Sequence, residues 1–201
     1  MKYLKLVTLL GTISLLLHTC KSTHINRDTD LLKKKQDSLA FELCKIFGLD
    51  QGIRTSPGPS NKWDFMLPID SINFYKILDF TKAHGFPRQE VLGTANYSRE
   101  CVQMSPIAVL LHTPHMLVNN KEYLDVFIEE TNKKNLKKET LAFILDKYYV
   151  IRKDEFGNRR QLYGSQFGKP CKKYRKASDS IRAVIGLAPL PDSLFVQCKS
   201  K

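Results

Sequence analysis

Apolar positions along this chain recur at helical spacing far more often than they alternate. Leu32, Leu39, Leu43, Ile46 and Phe47 return every third, fourth or seventh residue. They predict a helix from Thr29 to about Ile53, with Asp28 or Thr29 as its N-cap. The stretch 55–62, TSPGPSNK, carries two prolines and a glycine and predicts an exposed loop. Ile72, Phe74, Tyr75, Ile77, Leu78 and Phe80 then supply a broad apolar face. This second helix begins just after Asp70 and is stopped by Gly85 and Pro87. Ser105 and Pro106 stand as N-cap and N1 of a third helix through IAVLLHTPHML, which Pro114 must kink or end. Two further helical patterns, Lys121 to about Lys133 and Lys137 to about Arg152, predict an antiparallel pair.

The period changes at residue 149. YVIRKDEFGNRRQLYGSQF alternates in part around Phe156-Gly157-Asn158, which predicts a β-hairpin. Beyond it Ser178 is placed to cap a last helix ending at Gly186. The expected fold class is mainly α: a multi-helix single domain with a small β-hairpin near residues 149–167.

The N-terminus has a different logic. Lys2 and Lys5 precede the apolar run from Leu6 to Leu17, twelve residues long. That length suits an export leader and falls short of the roughly 20 residues of a membrane-spanning helix. The run closes on Leu17-His18-Thr19-Cys20. This resembles the signal peptide of bacterial lipoproteins, particularly those with loose lipobox sequences of the Bacteroidota kind. The resemblance implies cleavage before Cys20, acylation (diacylglycerol and palmitate) of its sulfur, and a location in the cell envelope. The chain is then held at the cell membrane or outer membrane, with its domain outside the cytoplasm. Lys21, rather than an aspartate, after Cys20 favours the outer membrane where enterobacterial-type sorting applies. Acyl chains contribute about 0.8 kcal/mol per buried methylene, so several of them anchor a protein without any span. The plainer alternative is a cleaved leader in which Cys20 is incidental. The expected organisation is a signal peptide over 1–19, a tether over 20–28 and one domain over 29–201.

Composition changes the picture in two ways. The formal charge is +12, falling to +10 once Lys2 and Lys5 leave with the leader. This favours anionic partners, such as lipid headgroups or acidic envelope polymers, or is simply a solubilising bias. The basic runs at 32–35, 133–138 and 169–176 allow the same two readings. Nucleic acid is not an expected partner, because no motif of a nucleic-acid-binding fold is present. Cys44, Cys101, Cys171 and Cys198 remain beside Cys20. In an oxidising compartment they permit three pairings, which spacing does not separate.

Candidate chemistry gathers in a few places: Asp50-Gln51-x-x-Arg54, His112, Asp146 and Gln161-x-Tyr163-Gly164-x-Gln166. With Asp70-x-x-Asn73 and Gly85-x-Pro87 between them, they resemble an uncharacterised bacterial family, a domain of unknown function. That family is marked by an Asp-Gln-x-x-Arg motif, a central histidine after an apolar run and a late Gln-x-Tyr-Gly-x-Gln motif. The match runs from about Leu39 to Leu190. It implies a shared fold and pocket, and no activity. Where the family often has glutamine before the histidine and an acid shortly after it, this chain has Leu111 and Pro114-His115.

Read from the residues, Asp50 and Arg54 lie four apart on one helical face, with Gln51 beside them. They form either a pocket-rim carboxylate kept ionised by an arginine or an ordinary ion pair worth about 0.3–0.5 kcal/mol. His112, after an apolar run, is either a general base oriented by Asp50 or Asp146, or a satisfied core residue. Gln161, Tyr163 and Gln166 bind a polar ligand such as a sugar or peptide, or tie the hairpin to the helices. His112-x-x-His115 offers two imidazoles to a metal, but Pro114 spoils their alignment, so neither metal nor cofactor is expected. A nucleophile elbow, a phosphate-cradling glycine loop and a His-Glu-x-x-His helix are all missing from the sequence. The expectation is an envelope protein that binds a polar ligand or partner through Gln51, Arg54, Gln161, Tyr163 and Gln166. The alternative is a hydrolase-like envelope enzyme with His112 as base. A third possibility is an immunity or antagonist role, in which the basic face meets an acidic partner.

Overall fold

The computed structural model describes residues 2–55 and 61–200, with side chains from Arg27 onward. The leader, and Cys20 as its expected lipidation site, lie outside the residues whose side chains are described. The chain is mainly helical: α1 (Lys2–Thr55), α2 (Lys62–His84), α3 (Gln89–Leu92), α4 (Thr94–Tyr97), α5 (Glu100–His112), α6 (Pro114–Asn119), α7 (Lys121–Asn132), α8 (Lys138–Val150) and α9 (Arg175–Val184). Among the described residues no helix is long and apolar enough to cross a membrane.

Three helices make the frame that positions the site. Leu43 and Ile46 of α1, Phe74, Ile77 and Leu78 of α2, and Val102, Val109 and Leu110 of α5 are buried together. Removing such side chains from water stabilises the fold by about 1.5–3 kcal/mol each. Leu141, Ile144 and Leu145 of α8 and Phe127 of α7 extend the same core. A Cys44–Cys101 disulfide ties α1 to the first turn of α5, and Cys171–Cys198 closes the C-terminal segment. The first links residues 57 apart in sequence. A closed loop of that length restrains the unfolded chain by about 4 kcal/mol in the chain-entropy account.

Several expectations need correction. The β-hairpin near 149–167 is not formed. Tyr149 and Val150 belong to α8, and the segment beyond carries a single antiparallel bridge, Lys153 with Arg159. A lone two-stranded ribbon is marginal in water, and here Asp154 organises the turn instead. Its carboxylate accepts from the backbone N–H groups of Phe156 and Asn158, the Asn158 amide and the Tyr174 hydroxyl, and it pairs with Lys173. The second helix starts at Lys62 and takes in Pro68, so Asp70 lies within it and is buried. The third helix starts at Glu100 rather than Ser105, with Pro106 inside it. Pro114 does end it, and becomes the first residue of α6. Ser178 is not a cap: it lies inside α9, where its hydroxyl donates to the Leu162 carbonyl at 2.5 Å. The first helix is not capped at Asp28 or Thr29, because α1 runs through the segment expected to be a tether.

Glu130 does for the α2–α3 turn what Asp154 does for the C-terminal turn. It is buried, and it accepts from Phe86 N–H at 2.7 Å and the Asn135 amide at 2.8 Å. Gly85, at φ +77°, takes a backbone conformation there that L side chains rarely adopt, and a Cβ would also crowd Arg88 and the Glu130 carboxylate. Burial raises the Glu130 pKa, but the Phe86 N–H, Asn135 and Lys133 outweigh it and leave the group below its ordinary value. Asp154 follows the same balance. Burial raises it, yet Lys173, Asn158 and Tyr174 hold it well below the carboxylate range.

A carboxylate depressed on folding contributes stability above its unfolded pKa of about 4, and that contribution is lost as pH falls through the folded value. Denaturant unfolding is therefore expected to weaken steadily from about pH 5 downward, with a flatter decline in Asp154→Asn and Glu130→Gln. Variant and parent curves that run parallel below pH 5 would contradict this assignment.

Candidate functional site

The last two turns of α1 carry Asp50, Gln51 and Arg54. Asp50 is fully buried, and three side chains meet its carboxylate. Gln51 Nε2 reaches Oδ2 at 2.6 Å, Arg54 Nη1 reaches Oδ1 at 3.1 Å, and His112 Nδ1 lies 3.0 Å from Oδ1. Arg54 also donates to the Asp50 backbone carbonyl at 2.7 Å, and its other arm, Nη2, reaches Asp70 Oδ1 at 2.6 Å. The guanidinium thus bridges carboxylates of two helices, and this fork geometry is what arginine offers and lysine lacks.

Each position has a local cause. Asp50 and Arg54 share a face because four residues make about one helical turn. Asp70 lies on the buried face of α2 with Met66, Phe74 and Ile77. His112 is the last residue of α5, where Pro114 disfavours helical geometry at Thr113. Thr113 closes that end, with its N–H and hydroxyl both donating to the Val109 carbonyl. Lys62 donates to the Arg54 carbonyl at 2.6 Å and so finishes α1.

The network forms one wall of a cleft of about 380 Å3. Arg54, Asp70 and His112 line it on this side, and Trp63, Lys147, Tyr148, Ile151 and Arg152 also contribute, with His115 at the edge. Because a carboxylate beside a guanidinium accepts, His112 Nδ1 is the donor to Asp50. Nε2 is then the ring nitrogen left for the cleft. Such a pair can orient an imidazole to take up a proton from a bound molecule or a water. Asp50, Asp70 and His112 also each offer an atom within 4.8 Å of the others, a spacing that would suit a cation. Arg54 already holds a positive charge between the two carboxylates, so a metal ion there would face its repulsion.

The other expected residues lie elsewhere. Asp146, fully buried on α8, does not bond to His112. It accepts from Leu162 N–H at 2.8 Å, Tyr163 N–H at 3.0 Å, and the Ser165 N–H and hydroxyl at 3.1 and 3.0 Å. It thereby fastens the 162–165 loop to α8. Gly164, at φ +66°, is required there, because a Cβ would stand 2.6 Å from Leu190 Cδ1. Tyr163 is buried, and burial together with the nearby Tyr149 and Asp146 pushes its hydroxyl pKa up. Gln161 is buried with Oε1 lacking a protein partner, beside a separate hollow that includes Arg159, Lys169 and Lys199. Gln166 is exposed and borders a third hollow with Glu139 and Phe143. The structure therefore brings together Asp50, Gln51, Arg54 and His112, and it leaves Gln161, Tyr163 and Gln166 in the C-terminal segment, with Asp146 on α8 holding that segment's 162–165 loop.

Sequence reasoning missed Trp63, Lys147 and Arg152 as members of the site, and it carried Asp70 only as part of the Asp70-x-x-Asn73 motif of the family resemblance, without a place in the site. Asp70 reads as a residue preceding a helix, and only the packing of α2 on α1 turns it toward Arg54. Trp63, the sole tryptophan of the chain, sits next to a turn-rich stretch and gives no periodic signal.

No protein-family model matches this chain, and neither a curated protein nor a solved structure shows significant similarity to it.

Breaking a buried pair from one side leaves an uncompensated charge and costs about 3–5 kcal/mol. Arg54→Ala is therefore expected to destabilise the protein by about that amount in urea unfolding, since it strands Asp50 and Asp70 together. Lys121→Ala, which removes the exposed Lys121–Asp125 pair, is expected to cost under about 1 kcal/mol. Comparable small losses for both variants would show that the Arg54 network is only a surface-like ion pair.

Proposed function

We propose that this chain is a lipid-anchored protein of the cell envelope, a relative of the Asp-Gln-x-x-Arg family, that binds a polar ligand in the cleft beside His112. The observation carrying the binding role is the cost of the Asp50–Arg54–Asp70–His112 network. Apolar side chains of the same volume would give a core at least as stable, so ionic groups kept at a cleft wall argue for use there. The cleft volume of about 380 Å3 lies within the range of small-molecule sites. The family resemblance supplies the same residues, Asp50, Gln51, Arg54 and His112, as its leading motifs. The paired cysteines Cys44–Cys101 and Cys171–Cys198 favour an oxidising compartment, as an exported protein requires.

A second reading, an envelope enzyme with His112 as general base, draws on the 3.0 Å approach of its Nδ1 to Asp50. Asp50 rather than Asp146 is then the orienting group. Among the described residues the cleft lining holds no serine, threonine or cysteine, and in this reading His112 activates a water for a hydrolytic step.

Growth with a labelled fatty acid tests the anchor. The parent chain is expected to carry label and to sediment with membranes, whereas Cys20→Ser loses both. An unlabelled parent would sink the lipoprotein half of the reading. For the enzyme reading, turnover of neutral esters or amides should fall about 100- to 10,000-fold in His112→Ala. An unchanged rate in that variant would remove His112 from any catalytic role.

A further inference from the structure

Lys147 and Arg152 line the cleft, and among the described residues neither has an acidic partner. Three carboxylates beside the cleft are already engaged: Asp50 and Asp70 hold Arg54, and Asp146 is turned into the 162–165 loop. Neither Lys147 nor Arg152 is ion-paired among the described residues. Lys147 Nζ instead lies 5.5 Å from the Phe167 ring centroid. The Arg152 guanidinium stacks 3.5 Å above the Tyr148 ring and donates through Nη1 to the Tyr148 carbonyl, which fixes its plane, and among the described residues its other donors have no hydrogen-bond partner.

The charge balance of the lining follows. Asp50, Asp70 and Arg54 together leave one negative charge, and Lys147 with Arg152 outweighs it before either His112 or His115 is protonated. The rest of the lining is apolar or aromatic. Trp63 and Ile151 are largely exposed at the cleft, and Met66 is buried behind them. Large apolar side chains that line a cleft, with a fixed guanidinium beside them, match a ligand that has two unlike ends.

Building on the polar-cleft reading above, we infer that the cleft takes a small anion with an apolar or aromatic body. Its carboxylate or phosphate meets Arg152 and Lys147, and its body lies against Trp63 and Ile151. A bidentate contact from a pre-oriented guanidinium gives such an anion both affinity and orientation. His112 Nε2 and His115 then face the ligand from the α5–α6 side.

Three probes of similar ring size test this: 3-phenylpropanoate, its neutral amide 3-phenylpropanamide, and phenyl phosphate. Calorimetry measures their binding to the full chain, and Trp63 emission reports occupancy of the cleft. Both anions are expected to bind at least about tenfold more tightly than the amide, and both to perturb Trp63. Arg152→Gln and Lys147→Gln are each expected to lower anion affinity about tenfold with amide binding unchanged. Amide binding as tight as the acids would overturn the anion preference while leaving a polar cleft in place. If none of the three binds at millimolar concentration, the cleft reading falls with it. Unchanged thermal midpoints show that the two variants remain folded, and full anion affinity in both would also overturn the proposal.

Discussion

Arg54 places one positive charge between two buried carboxylates that belong to different helices. Asp50 on α1 and Asp70 on α2 would repel one another without it, and α1 and α2 could not pack with their polar residues turned inward. Asp50 then has an oxygen to spare for His112 at the end of α5. The chain of contact from α2 to α1 to α5 is thus electrostatic at one end of the frame. Toward the other end, the Cys44–Cys101 bond and the Leu43, Ile46, Phe74 and Ile77 core hold the helices by covalent and apolar means. Two different kinds of interaction fix the same helices, and the cleft opens where the ionic one meets solvent.

That arrangement explains how a carboxylate can be fully buried without being idle. Gln51 and Arg54 satisfy its lone pairs from its own helix, and His112 supplies the last partner from outside. An imidazole fixed at Nδ1 has a defined orientation, and its second nitrogen acquires a direction. The C-terminal segment uses carboxylates for another purpose. Asp146 and Asp154 gather backbone N–H groups that no sheet or helix satisfies, and so hold irregular chain in place of the hairpin. The same residue type is used at the cleft to orient a ring and in the C-terminal segment to shape a loop.

Much of the helical framework was legible because it rests on local periodicity. The buried Phe74, Ile77, Leu78 and Phe80, the stop at Gly85 and Pro87, and the break at Pro114 follow from spacing and backbone chemistry alone, whereas Ile72 and Tyr75 of the expected face are exposed. Helix starts were less legible. Pro106 resembles a first-turn proline but lies within α5, and Ser178 resembles a cap but is held inward by the Leu162 carbonyl. The hairpin failed for a related reason: partial alternation around Phe156-Gly157-Asn158 carries no information about Asp154, whose side chain takes over the turn. At the site, the Asp50–Arg54 pair could be read from its spacing. Asp70, Trp63 and Arg152 could not, because their places depend on how distant helices meet.

Asp50 holds the His112 ring by its Nδ1 proton and leaves Nε2 to the cleft. Nitrogen-15 spectra of the histidine side chains test it directly, with Asp50→Asn as the reference. The neutral His112 ring is expected to be the Nδ1–H tautomer, with a proton slow to exchange and shifted downfield, and both signs are expected to vanish in the variant. An Nε2–H tautomer with fast exchange, the same in parent and variant, would contradict it.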